Sequence, residues 1–390
     1  VRRLRGADLD GAEGTDPLAR LEFDGEAAGD GGLKAAVPPH RLDVACAADL
    51  VEEVARIHGY DNLPATMLAD PLPPQGDNPR LWAEETARDA LVDVGLQEVV
   101  SYRLVAPDLD TDVAAAPEAQ EAHVVLANPI SPERSALRTT ILGPLLGVAR
   151  GNLRFVDRVA IFELGPVFLP GPGQLPAEEW RVGLVMTGPA WPTSWRGAAP
   201  RRLDFFDAKG VVEHLAAGLG ADLRWASDPA GHGAMHPART AVVRAKGLVV
   251  GHVGELRAAV LEGWSLGDGP VAVADLDLGA LRAAADDRRA FRPFSPYPAV
   301  KEDVAVVVDE GVPVADVAAV IRRSAGALLA DLTLFDVYRG DQIGAGRKSL
   351  AWSLALQAAD KTLTSKAAAA VRGRIVRALE SELGAELRGG

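Results

Sequence analysis

Apolar residues recur at helical spacing from Asn78 through Leu81, Ala87, Leu91 and Val94, and the run stops at Gly95; this predicts a helix with a glycine end. Segments rich in β-branched and apolar residues over 99–105 and 122–126 predict strands. Residues 128–142 read as a turn leading into a helix that continues to about Asn152, and 159–169 and 181–187 read as strands joined by a Gly/Pro-rich turn. A further helix opens at Phe205, and 240–255 has the pattern of a hairpin. Strands that follow one another without regular β-α alternation predict an α+β module built on an antiparallel sheet.

The pattern changes beyond Pro293, Pro296 and Pro298. A strand over 303–308 is followed by a helix from Val314 to about Ala325 and a strand from Leu328 to Tyr338. A glycine-containing turn at 339–346 leads to an answering strand from Lys348 to Gln357. A long helix from Thr364 carries Val371, Ile375, Leu379 and Leu383, and a short strand near Glu386 to Arg388 closes the order. This β-α-β-β-α-β succession is a split βαβ, ferredoxin-like unit. Amino-acid sensors, RNA-binding modules and metal chaperones all use it, so the topology alone carries no function.

Near the start, Asp49, Glu52 and Glu53 stand at i, i+3 and i+4, which on a helix brings their carboxylates to one face. Asp43 lies six residues before Asp49, on an extended segment able to fold back onto the helix start. Carboxylates gathered in this way repel unless a cation lies between them, and an all-oxygen donor set suits a hard divalent ion such as magnesium. Asp49 followed by Glu52 is equally a D-x-x-E capping box, which is the commoner outcome for such spacing. The two readings are compatible. A self-contained metal hydrolase is disfavoured, because no nucleophile, histidine or basic phosphate clamp accompanies the cluster.

Composition narrows the class without deciding it. At 390 residues, 48% hydrophobic and 24% charged, the chain is long enough for two or three globular domains. The single cysteine, Cys46, rules out an internal disulfide and a cysteine zinc cluster. No apolar run approaches membrane-spanning length, and the basic 1–5 segment leads into no hydrophobic core, so a cytoplasmic location without membrane contact is expected. The net charge of −13 argues against broad non-specific nucleic-acid binding. From Phe291 onward, however, 13 Lys/Arg stand against 12 Asp/Glu, a balance of +1, leaving −14 for the rest. The C-terminal quarter is therefore the least repulsive place for RNA.

Longer motifs carry a resemblance. Pro38-Pro39-His40-Arg41-Leu42-Asp43, with Asp49-Leu50-Val51-Glu52-Glu53-Val54-Ala55-Arg56-Ile57-His58-Gly59-Tyr60-Asp61, resembles the central domain of the bacterial phenylalanine–tRNA ligase β-subunit family. Further signposts of that family are N-P-I-S-P-E-x-S-x-L-R at 128–138, I-F-E-L-G at 161–165, F-D-A-K-G at 206–210 and H-P-A-R at 236–239. Tyr297-Pro298, Leu334-Phe335-Asp336-Val337-Tyr338 and Asp360-Lys361-Thr362-Leu363-Thr364 resemble its C-terminal anticodon-binding domain. The resemblance implies a multidomain α+β chain. A partial metal-binding (B5-like) domain, small and α/β, would span 1–66. A catalytically silent class II synthetase-like domain would span 78–285, and a ferredoxin-fold anticodon-binding domain 291–390.

The same resemblance implies an enzyme subunit serving ATP-dependent attachment of phenylalanine to its tRNA. Catalytic residues, and the sites for ATP and phenylalanine, would lie on a partner α subunit in an α2β2 assembly. Magnesium would be held by Asp43, Asp49, Glu52 and Glu53. The tRNA anticodon region would meet Tyr297, Lys301, Tyr338, Arg339, Arg347 and Lys348. Departures from the family pattern are Lys301-Glu302-Asp303 in place of R-R-D, Ser353 where an arginine is common, and Ser365-Lys366 at the start of the last helix. Within the middle domain no arginine separates Phe162 from Glu163, as the class II phosphate-holding signature requires. The formal G-x-G-x-x-x-R match at 218–224 falls where a helix should stop. His232 and His236 have metal-pair spacing, but Gly233 and Pro237 oppose the necessary helix, leaving loop histidines. Asp207 with Lys209 reads as a solvated helix start. A chain that begins at Val1 is expected to be the C-terminal half of a longer subunit; the rival is a solitary RNA- or amino-acid-binding module.

Overall fold

The computed structural model describes residues 11–28, 32–65, 76–108, 113, 123–171, 175–197, 199–228, 231–286, 291 and 293–388, apart from the side chains of 11–13 and 27. The apolar segment that starts at Ala122 and the prolines Pro71, Pro73 and Pro74 lie partly or wholly outside these residues. The chain divides into two compact units, Val1–Asp77 and Asn78–Gly390.

In the first unit, α1 (Gly11–Arg20) precedes a hairpin of β1 (Asp24–Ala27) and β2 (Leu33–Ala36), and α2 (Ala47–His58) follows. Leu18, Phe23 and Val54 form its core, with Leu21, Ala35, Val44 and Leu50 packed around them. Leu50 and Val54 give α2 its apolar face toward this small core.

The second unit opens with α3 (Pro79–Asp93), where Pro79 takes the first helical position and the Asn78 side chain accepts the Leu81 N–H at 3.2 Å. The predicted 99–105 strand is cut down to β3 (Gln97–Glu98) and β4 (Leu104–Val105), the latter pairing with β5 (Ala136–Leu137). Then come α4 (Leu142–Asn152), β6 (Val159–Leu169), β7 (Ala177–Thr187) and α5 (Phe205–Leu219). An Asp204/Asp207 capping box starts α5, and Gly220, with φ of 75°, ends it in the left-handed conformation. The G-x-G-x-x-x-R match is thus a helix stop. β8 (Leu223–Ser227), β9 (Met235–Ala245), β10 (Leu248–Leu256), α6 (Ala258–Gly263), β11 (Val271–Asp277) and α7 (Leu278–Ala284) complete the module.

These strands form a seven-stranded sheet in the order β3-β6-β7-β11-β10-β9-β8, antiparallel except for the β3–β6 pair. Both faces are covered. Apolar residues of α3, α5 and α7 pack on one. Ile141, α4 and α6 pack with Trp264 and Leu266 on the other. β6 accordingly reads as a continuous buried run from Val159 to Phe168 instead of alternating.

The remaining elements are β12 (Val300–Asp309), α8 (Val314–Ala325), β13 (Leu329–Tyr338), β14 (Arg347–Leu356), α9 (Ser365–Leu383) and β15 (Glu386–Leu387). They build a four-stranded antiparallel sheet in the order β13-β14-β12-β15, the ferredoxin-like arrangement expected from sequence. Val304, Val306, Val308, Leu350, Trp352, Leu354 and Leu356 meet the apolar stripes of α8 and α9 on one face only. No helix among the described residues is long and apolar enough to cross a membrane.

Candidate functional site

The acidic segment of the first unit folds as a set of closed pairs. Arg41 donates to both oxygens of Asp43, at 2.9 and 2.7 Å, and to Glu53 Oε1 at 2.8 Å. Arg56, one turn after Glu53, takes its other oxygen. Asp49 is the third residue of α2, not its cap: its Oδ2 accepts the Ala45 and Cys46 N–H groups at 2.7 and 2.8 Å. Glu52 is exposed and faces none of these partners. The Arg41 guanidinium holds the Asp43 carboxyl at about 2. The Ala45 and Cys46 N–H groups lower that of Asp49, and Arg41 lowers that of Glu53. No three His, Cys, Asp or Glu side chains gather in a metal-binding group among the described residues. As arranged, two of the four carboxylates are engaged by guanidinium groups, so a magnesium ion held by all four would require those pairs to open.

In the second unit a polar row crosses the seven-stranded sheet. Backbone register brings Glu163 opposite Gly183, Gly183 opposite Asp275, and Asp275 opposite His252. Arg138, 1% exposed, reaches into this row: its Nη1 donates to Glu163 Oε1 at 2.8 Å and Ser101 Oγ at 3.0 Å, and its Nε to the Pro166 carbonyl at 2.9 Å. Gly165 and Gly183 are needed for this packing. A Cβ on Gly165 would strike the Arg138 guanidinium, and one on Gly183 would meet Ile141 at 2.5 Å and Leu145 at 2.6 Å. Further along, Arg181 lies 3.4 Å from Asp275, and His232 Nε2 lies 3.6 Å from its other oxygen. Burial pushes the Asp275 carboxyl up, but Arg181 and His232 outweigh it and hold it low. His232 is, as expected, a loop residue, in the turn between β8 and β9, but it is buried beside Asp275 and sits edge-on to His252 at 5.8 Å between ring centres. His236 lies on β9, where its ring accepts the Ala238 N–H at 3.1 Å. Asp207 caps α5 and pairs with Arg201 at 2.6 and 2.7 Å, and Lys209 pairs with Glu213. Arg138, Glu163, His232 and Asp275 are buried in this row, whereas Arg181 and His252 at its far end are partly exposed.

The C-terminal sheet differs, because no helix among the described residues covers its second face. Three cross-strand rows lie there: Thr333–Ser353–Asp303, Asp336–Ala351–Ala305 and Tyr338–Ser349–Val307. Lys301 is exposed beside Ala355 at one end of the face. The last strand returns Arg388 across it; its N–H donates to the Ala305 carbonyl at 2.9 Å, and its guanidinium lies 4.9 Å from the Tyr338 ring centre. Asp303, Asp331, Thr333 and Asp336 are exposed around a floor of small side chains.

Of the residues expected to meet RNA, Lys301 and Tyr338 lie on this open face. Lys348 does not. It is 7% exposed, alternates with Ser349 toward the helix side, and gives its ammonium to the Glu310 carbonyl at 2.7 Å. Arg347 is engaged by Glu386 at 2.9 Å, and Arg339 by Glu310 at 2.7 Å, each raising the guanidinium's affinity for its proton. Tyr297 precedes β12, where its carbonyl accepts the Gln357 amide at 2.6 Å. Glu302 pairs with Leu354 on the helix side, so it does not oppose RNA on the open face. Sequence alone does not mark Asp303, Thr333, Asp336, Ser349 and Arg388 as members of this face. The signal was present in the period-2 alternation of β14 and β12, but an irregularity between Leu334 and Asp336 resets the phase of β13.

Comparison with known proteins follows this architecture along the chain. The tRNA synthetase B5 domain model matches residues 1–60, the phenylalanyl tRNA synthetase beta chain CLM domain matches 63–278, and the ferredoxin-fold anticodon binding domain matches 295–388. The chain belongs to the phenylalanyl tRNA synthetase beta chain family. Curated relatives named phenylalanine–tRNA ligase beta subunit include that of Symbiobacterium thermophilum, 42% identical over 93% of this chain and 40% of the relative. That of Geobacillus kaustophilus is 38% identical over 90% of this chain and 43% of the relative. That of Moorella thermoacetica is 38% identical over all of this chain and 48% of the relative. The chain thus spans less than half the length of these relatives.

Proposed function

We propose that this chain serves ATP-dependent attachment of phenylalanine to its tRNA as part of a ligase β subunit, with the chemistry carried by a partner α subunit. The domains would divide at about 1–66, 78–285 and 291–390. The observation that carries the reading is the uncovered C-terminal face, with Tyr338 and Arg388 stacked beside Asp336, Thr333, Ser353 and Asp303. Splayed anticodon bases stack on the tyrosine–arginine pair, while carboxylates and hydroxyls accept and donate along base edges. Lys301 and Arg388 supply the cations; the neighbouring aspartates favour base edges over phosphates.

The α subunit would meet the middle domain. Val100 and Ile130 are 89% and 99% exposed there, and a cavity of about 500 Å³ is lined by Val100, Tyr102, Pro144 and Trp264. An apolar surface of this kind on a domain with complete cores favours a protein partner. An α2β2 assembly is the stoichiometry proposed. Magnesium at Asp43, Asp49, Glu52 and Glu53 is left out, since Asp43 and Glu53 are already paired with Arg41 and Arg56.

The test is fluorescence anisotropy of the full chain, alone and with the α subunit, against tRNA(Phe) and the same tRNA with its anticodon bases changed. Weaker binding of the altered tRNA is expected. Equal affinity for both would defeat the anticodon reading.

A further inference from the structure

We infer that Arg41 is the resident cation of the acidic segment, so that the first unit folds and holds its shape without a divalent metal ion. The inference rests on no part of the tRNA reading. It comes from a mismatch between a donor set whose residue types suit a hard cation and a geometry in which those donors are already committed.

Asp43 has both oxygens in a fork with Arg41, and Glu53 has one oxygen on Arg41 and the other on Arg56. The guanidinium is not a loose surface group. Its side chain is 17% exposed, that of Glu53 12%, and it lies 5.2 Å from the ring centre of Phe23, a core residue of this unit. Arg41 therefore ties the segment after the β1–β2 hairpin to the middle of α2 from a position packed on the core. Paired, hydrogen-bonded and packed in this way, a guanidinium is well placed to satisfy carboxylates.

A magnesium ion entering the same place would have to break the charge-assisted hydrogen bonds that hold Asp43 and Glu53, and to shed part of its own firmly held water shell. Arg41 is attached two residues from Asp43 and is present at high effective concentration, whereas the ion must be drawn from solution. Of the remaining donors, Asp49 has one oxygen committed to two N–H groups, and Glu52 stands apart. The arginine and the ion are mutually exclusive occupants, and in this chain the arginine holds the place.

The experiment uses the full chain. Mn²⁺ is titrated as a spectroscopic probe, with bound and free ion separated by electron paramagnetic resonance, and thermal melting is followed in Mg²⁺ and in EDTA. The wild-type chain should bind Mn²⁺ no more tightly than about millimolar, and its melting should be the same in Mg²⁺ and in EDTA. Arg41→Met keeps a flexible apolar stem over Phe23 and removes the charge; it should bind Mn²⁺ at least about tenfold more tightly and melt higher with Mg²⁺ than with EDTA. Arg41→Lys, which keeps a charge but loses the fork, serves the same purpose if the methionine variant does not fold, and should lie between the two. Micromolar binding by the wild-type chain, or a wild-type melting temperature that falls in EDTA, would overturn the inference. So would variants that bind no better than wild type.

Discussion

Two largely antiparallel sheets in this chain share a construction and end in opposite states. The seven-stranded sheet buries polar groups on its second face. Arg138, Glu163 and Ser101 close on one another, and α4 and α6 complete the cover. The four-stranded sheet leaves its second face bare, with Asp303, Thr333 and Asp336 exposed over small residues. The difference lies in what each face can afford to satisfy internally. Glu163 has a buried guanidinium to meet it, so a helix can close over the row. Asp336 faces Ala351 and has no such cation across the strand, so its carboxylate stays in water or meets a ligand. Closed polar rows stabilise; open ones are available for recognition.

The comparison breaks most sharply at Arg138. Arg138→Met leaves Glu163 buried without its cation, and stability should fall by about 3–5 kcal/mol, read from the denaturant midpoint of the second unit. If the loss is under about 1 kcal/mol, water reaches the row and the face is not closed. On the open face, Tyr338→Ala should weaken tRNA binding by about 1–3 kcal/mol for a stacked base. Because Tyr338 is half-buried, its melting temperature is to be measured alongside.

The open face is poor in free cations, and salt should reveal this. With Lys301 and Arg388 as the phosphate partners of this domain, the slope of log affinity against log salt for an anticodon stem-loop should be only about −1 to −2. A slope several times steeper would mean that phosphate contact dominates. The smallest effect concerns His252. Burial and then the neighbouring His232 lower its proton affinity below the usual 6.5, although Asp228 partly opposes them. The unfolded chain therefore takes up a proton that the folded one resists. Stability from this group is complete above about pH 6.5 and should decline as pH falls from there through the lowered folded value. In His252→Gln that part of the pH dependence should be absent.

Much of the fold was legible because its elements obey simple periods. The C-terminal β-α-β-β-α-β order, the helix start at Asn78-Pro79 and the stop at Gly220 follow from alternation, capping and glycine chemistry. The 99–105 run has the pattern of one strand, yet Ser101 leaves the sheet to meet Arg138 and Glu163, a long-range demand that local propensity does not register. The acidic segment shows the same limit. Residue types point to a cation, and in the structure Arg41 meets Asp43 and Glu53, a pairing twelve residues apart in sequence that local pattern does not register. On the last sheet, adjacent basic residues drew attention to Arg347 and Lys348, but alternation sends Lys348 to the helix side. Asp336 was hidden by the irregularity beside it, and Arg388 by the brevity of β15.

The decisive measurement is the affinity of the full chain for tRNA(Phe) with Asp336→Asn and, in parallel, Lys348→Met. If the open face reads base edges, Asp336→Asn should lose about 1–3 kcal/mol of binding, roughly 5- to 150-fold, while its melting temperature stays within about a degree of wild type. Lys348→Met should retain wild-type affinity. Undiminished binding by Asp336→Asn, together with a loss in a folded Lys348→Met, would contradict the assignment and move recognition to the other side of the sheet.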